Sequence, residues 1–77
     1  MNAPRTRAFR VTGLDCAEEI AALRREVGPV VGGEARLGFD LLRGRMTVDA
    51  EAHRIPDAAI LEGVRRAGLS AEPWRTD

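Results

Sequence analysis

The sequence is poor in several things, and each shortage excludes a class. It has one cysteine, one histidine and no lysine, and its twelve arginines are balanced by twelve acidic residues to a net charge of zero. A lone cysteine cannot close a disulfide within the chain, so no disulfide framework staples it. A free thiol suits a reducing compartment. Without a basic excess the chain does not read as a nucleic-acid binder. No apolar run approaches the ~20 residues that span a bilayer, so this segment has no direct membrane insertion. No hydrophobic stretch of a signal peptide follows Met1. Met1 reads as a true start and residues 73–77 do not read as a designed stop, so the sequence does not separate a fragment from a free-standing chain.

What is present is enough for one core. Seventy-seven residues make one domain at most, and 44% hydrophobic with 31% charged residues is a soluble, globular composition. Residues 1–7 read as a flexible tail. Residues 8–12 alternate, with Phe9 and Val11 apolar, and predict a short half-buried strand. Gly13 breaks it. Asp15 then offers an N-cap, and Glu18 three residues on gives a capping-box spacing. The helix is expected to run to about Val27, with Cys16, Ile20, Leu23 and Val27 on one face, and to stop at Gly28-Pro29. Residues 30–34 read as a loop.

From Ala35 the period becomes two. Leu37, Phe39 and Leu41 face one way, a hairpin turn falls at Leu42-Arg43-Gly44, and residues 45–49 return with Met46 and Val48 inward. Residues 50–54 form a linker that carries His53. Pro56 suits the first helical position, Ile60, Leu61, Val64 and Ala67 make an apolar stripe, and Gly68 ends the helix. Residues 69–74 make a last strand, which Pro73 confines to a sheet edge.

The order strand, helix, strand, strand, helix, strand predicts an α+β, ferredoxin-like βαββαβ sandwich over residues 8–75, with 76–77 as a tail. Its four-stranded antiparallel sheet is covered on one face by two helices. The crossover rule places the Gly13–Cys16 loop, the Arg43 turn and the Gly68-Leu69 connection at one end. His53 falls at the other end, too far to share an ion with Cys16.

The loop holds the densest group of donors. Cys16 sits at a helix N-terminus, where unpaired N–H groups and the dipole favour a thiolate. Glu19 lies one turn on, and Asp15 is adjacent. One soft sulfur and two hard carboxylates suit a borderline divalent ion: zinc (Zn2+) accepts both donor types, and cadmium (Cd2+) or lead (Pb2+) fits the same set. Copper(I) prefers sulfur alone. A plainer account stands beside this one. Capping explains Asp15 and Glu18, and a cysteine on an apolar stripe is often a buried structural thiol.

The pattern resembles the heavy-metal-associated domain of metallochaperones and of the cytosolic N-termini of heavy-metal-transporting P-type ATPases. The resemblance runs from about Phe9 to Trp74. It rests on Gly13-Leu14-Asp15-Cys16, Met46-Thr47-Val48-Asp49 and Arg66-Ala67-Gly68-Leu69. That family's loop commonly reads Gly-Met-x-Cys-x-x-Cys; here Leu14 replaces the methionine and Glu19 stands at the second cysteine. Only Cys16 is a matched ligand. The resemblance implies a regulatory or delivery domain of an exporter for zinc, cadmium or lead, in the cytoplasm, its parent in the cell membrane. Asp15 and Glu19 would join Cys16, with Glu18 the alternative if the helix starts one residue differently. Its partners would be the membrane domains or other cytosolic domains of the ATPase. The alternatives are a degenerate module that docks proteins without metal, and a free-standing metallochaperone. An enzyme is disfavoured, because the loop lacks the arginine of an acylphosphatase and Cys16 has no histidine at its end of the fold.

Overall fold

Alternation of apolar and polar residues sets the sheet. A computed structural model describes residues 6–49 and 54–74. Strand β1 (Arg7–Thr12) leads to helix α1 (Ala17–Val31), a 3₁₀ turn (Glu34–Arg36), β2 (Leu37–Asp40), β3 (Arg45–Val48), α2 (Asp57–Arg66) and β4 (Ser70–Pro73). The sheet order is β2-β3-β1-β4, with all neighbours antiparallel. This is the expected ferredoxin-like βαββαβ fold. Pro73 lies on an edge strand as its missing N–H requires. The expected tails fall mostly, and His53 wholly, outside the described residues.

Phe9 and Val11 of β1 and Met46 and Val48 of β3 point to the helices and are buried. Leu23, Val27 and Val31 of α1 and Ile60 and Val64 of α2 meet them. The other face of the sheet is polar. Along one row the register sets Asp40 beside Arg45, Arg45 beside Arg10, and Arg10 beside Glu72. Two arginines side by side repel. The Trp74 ring offsets this, with its centroid 4.5 Å from the Arg10 guanidinium and 5.3 Å from that of Arg45. No helix among the described residues is long and apolar enough to cross a membrane.

Several expected boundaries move. Helix α1 does not stop at Gly28-Pro29 but continues to Val31. Val31 lies four residues beyond Val27 on the buried stripe, and its burial holds the last turn closed around Pro29. The end is made by Gly32 (φ 95°), with the Gly33 N–H donating to the Gly28 carbonyl at 2.8 Å. Gly28 is instead a packing residue: a Cβ there would lie 3.2 Å from Cβ of Glu34. Residues 34–36 form a 3₁₀ turn in place of loop and strand, so β2 starts only at Leu37; at its other end the Gly44 N–H donates to the Leu41 carbonyl at 3.3 Å, which puts Leu41 in the turn, 42% exposed. Pro56 is the N-cap of α2 and not its first helical residue. The end of α2 is as read, with Gly68 at φ 89° and the Leu69 N–H donating to the Val64 carbonyl at 3.2 Å.

Candidate metal centre

The loop between β1 and α1 is built from its hydrophobic side. Gly13 turns the chain at φ 89°, a left-handed conformation that a side chain resists. Leu14 then plugs the core at 4% exposure. With Leu14 inward, Asp15 and Cys16 are left outside, and both are exposed. The helix starts one residue later than the sequence suggests. Cys16 is the N-cap, in extended backbone, and its carbonyl accepts the first helical bond from Ile20. Asp15 is therefore not the cap, and the Asp15–Glu18 capping box does not form. Cys16 also leaves the apolar stripe, which removes the buried-thiol reading.

The shift puts Glu19 at the third helical position, where a capping-box glutamate reaches back to the N-cap. The Cys16 thiol donates to Glu19 Oε1 at 2.7 Å. This bond, more than anything else, holds the Glu19 carboxyl below its ordinary pKa, and the backbone N–H groups of Glu19 and Cys16 add to it. One donor atom each from Asp15, Cys16 and Glu19 lies within 4.8 Å of the others. Glu18 is exposed and stands outside this set. Zinc holds sulfur at about 2.3 Å and oxygen at about 2.1 Å, so tetrahedral S and O donors sit about 3.6 Å apart. Replacing the thiol proton with an ion thus asks the Cys16–Glu19 pair to open by roughly 1 Å.

The charge around the loop sets it apart. Glu26, Glu34, Asp40, Asp57, Glu62 and Glu72 each have an arginine within 4.0 Å, and Asp49 is engaged as well. Among the described residues, Asp15, Glu18 and Glu19 are left without such a partner. In a chain with as many arginines as acids, uncompensated carboxylates have gathered beside the one thiol.

The expected sharing of one end is met. The Val11 N–H donates to the Gly44 carbonyl at 2.8 Å, which ties the hairpin turn to the end of β1. Leu69, from the α2–β4 connection, stands over Gly13, its Cδ2 3.0 Å from where a Cβ on that glycine would lie. That contact was missed in the sequence, although the β1–β4 register implies it.

No protein-family model and no curated protein matches the chain. Solved structures do. A copper-binding domain from HMA7, a P-type ATPase, matches with TM-score 0.74 and 25% identity over 92% of this chain and 95% of that one. A structure described by the words "Crosstalk between Cu(I) and Zn(II) homeostasis" matches with TM-score 0.64 and 20% identity, over 90% and 97%. The N-terminal domain of PacS from Synechocystis PCC6803 matches with TM-score 0.62 and 18% identity, over 91% and 97%. The fold is therefore that of an α+β metal-binding module. In particular, it is the heavy-metal-associated fold of P-type ATPase domains that the sequence resembles.

Proposed function

We propose that this chain binds a divalent heavy-metal ion, zinc first and cadmium or lead through the same donors, at Cys16, Asp15 and Glu19. The observation that carries the reading is the convergence of these three donors within 4.8 Å at the one arginine-free acidic site among the described residues. Cys16 binds as thiolate and loses its proton on metal entry. With the thiolate, the two carboxylates bring the site to a net charge near −1 and leave a fourth position for water or a receiving group. The HMA7 neighbour is a copper-binding domain. A single sulfur with two oxygens supports a borderline divalent ion over copper(I) here.

The chain then acts as the cytosolic N-terminal domain of a metal-exporting P-type ATPase. It captures the ion and passes it on by ligand exchange, or tunes turnover with metal level. Its partners are the other domains of that pump, and it carries out no catalysis itself. Residues 8–75 make up this domain. Glu19 in place of a second cysteine favours one rival, a module that docks proteins without metal.

Zinc titration of the reduced chain decides between them. The wild type takes up one ion. Cys16→Ser weakens binding by about a hundredfold and Glu19→Ala by about tenfold. Glu18→Ala stays within about twofold, as for a charge outside the coordination sphere. Binding indifferent to Cys16, or none at all, overturns the metal reading in favour of the docking module. Tighter binding of copper(I) than of zinc overturns the choice of ion.

A further inference from the structure

We infer that Leu69 is a positioning residue for the donor loop. As far as it concerns metal affinity, this rests on the reading just proposed. The β1–β4 register pairs Arg10 with Glu72, Val11 with Ala71 and Thr12 with Ser70. The next pair along the ladder is Gly13 with Leu69. Side chains alternate across a sheet. Val11 is buried on the helix side and Thr12 and Ser70 are exposed, so Leu69 falls on the helix side again. There it packs against the core, and its Cδ2 would lie only 3.0 Å from a Cβ on Gly13.

Both ends of this contact are held. Gly68 N–H donates to the Arg65 carbonyl at 2.9 Å and Leu69 N–H to that of Val64 at 3.2 Å, so the backbone of Leu69 is fixed to a helix whose Val64 is fully buried. Gly13 leads directly into buried Leu14 and then into exposed Asp15 and Cys16. Leu14, buried in the core, and Leu69, packed against that core, thus both grip the loop from behind. The donors themselves have no comparable packing: the contact that orders them is the thiol–carboxylate bond, which metal entry must break. Order at Cys16 during ligand exchange has to come from the residues behind it. Groups that orient metal ligands without touching the metal commonly matter tenfold or more to affinity.

The test uses the whole chain and four variants. Leu69→Ala removes the grip, Leu69→Met keeps most of its volume, and Gly13→Ala pushes against it from the other side. Val48→Ala is the control, since Val48 is fully buried and pairs with Arg7 and Leu37 at the opposite end. Without metal, ¹⁵N order parameters at residues 14–16 are expected to fall from about 0.85 toward about 0.6 in Leu69→Ala and Gly13→Ala. They stay rigid in Leu69→Met and Val48→Ala. With zinc, Leu69→Ala is expected to bind about tenfold more weakly, and Val48→Ala like the wild type. Unchanged order parameters in Leu69→Ala overturn the proposal, and so does an equal fall in Val48→Ala, which would make the effect one of general stability. A wild type that takes up no zinc overturns the metal reading alone and leaves the order parameters to decide this one.

Discussion

The two helices begin in similar ways and end up in different charge environments. Each starts at a residue that makes no side-chain cap, Cys16 for α1 and Pro56 for α2, and each has acid in its first turn. At α2 the acid is answered. Arg7 of β1 donates to Asp57 Oδ1 at 2.8 Å and to the Ile55 carbonyl at 2.6 Å, so the helix start is tied to the sheet. At α1 no arginine among the described residues comes within 4.0 Å of Asp15, Glu18 or Glu19, and the thiol takes the cation's place. An acidic helix start is therefore not a metal site as such, because carboxylates there are favoured by the dipole alone. What separates the two is whether the fold supplies a counter-charge.

The largest way to test that contrast is through the residues that seat each start. Leu14 is 4% exposed, while Ile55 is only partly buried. Leu14→Ala is expected to cost about 2–4 kcal/mol and Ile55→Ala about 1 kcal/mol, measured by urea denaturation. Equal costs would mean that α1 is not seated by its loop. A smaller pair of effects crosses the two sites. Arg7→Met removes the tie at α2 and is expected to cost about 1 kcal/mol while leaving zinc affinity within about twofold. Glu18→Arg supplies the missing cation at α1. It is expected to change stability by less than about 0.5 kcal/mol and to weaken zinc binding by about tenfold. If both variants moved both quantities alike, the distinction between a structural and a binding helix start would fail.

Much of this was legible in the sequence, for reasons that also explain the misses. Strand alternation at Phe9–Val11 and Met46–Val48, the stripe through Ile60 and Val64, and Gly68 after the α2 stripe are local patterns, and local patterns fixed the element order. The closeness of Asp15, Cys16 and Glu19 was legible because spacing alone puts them within a turn. The start of α1 was misread because Asp15–Glu18 and Cys16–Glu19 have the same capping spacing one residue apart. Burial of Leu14 chooses between them, and that is a tertiary fact. Gly28-Pro29 misled in the same way, since burial of Val31 outweighs the helix-breaking tendency of proline. The pairing of Arg7 with Asp57 spans fifty residues of sequence. The distribution of arginines, which separates the two helix starts, is visible only once the chain is folded.

The finest test follows the proton. Glu19 and Asp40 both have carboxyl pKa values below the ordinary range, for different reasons. At Glu19 the main cause is a neutral donor, the Cys16 thiol. At Asp40 it is the Arg43 guanidinium at 2.9 Å, helped by the charges of Arg43 and Arg45. A carboxyl whose pKa is lower folded than unfolded adds stability above its unfolded value, about 4 for these side chains, and loses it as pH falls through the folded value. Both groups are therefore expected to flatten the acid limb of the stability curve when replaced, Glu19→Gln and Asp40→Asn alike, and only slightly because both are no more than half-buried and screened by water. The causes separate in a ¹³C-detected titration of the metal-free chain. Cys16→Ala raises the Glu19 pKa and leaves Asp40 alone, and Arg43→Met does the reverse. Salt at about 0.15 M, with a Debye length of about 8 Å, raises the Asp40 value more than that of Glu19. Equal salt sensitivity would mean that a cation reaches Glu19 after all, and the two helix starts would then differ in degree and not in kind.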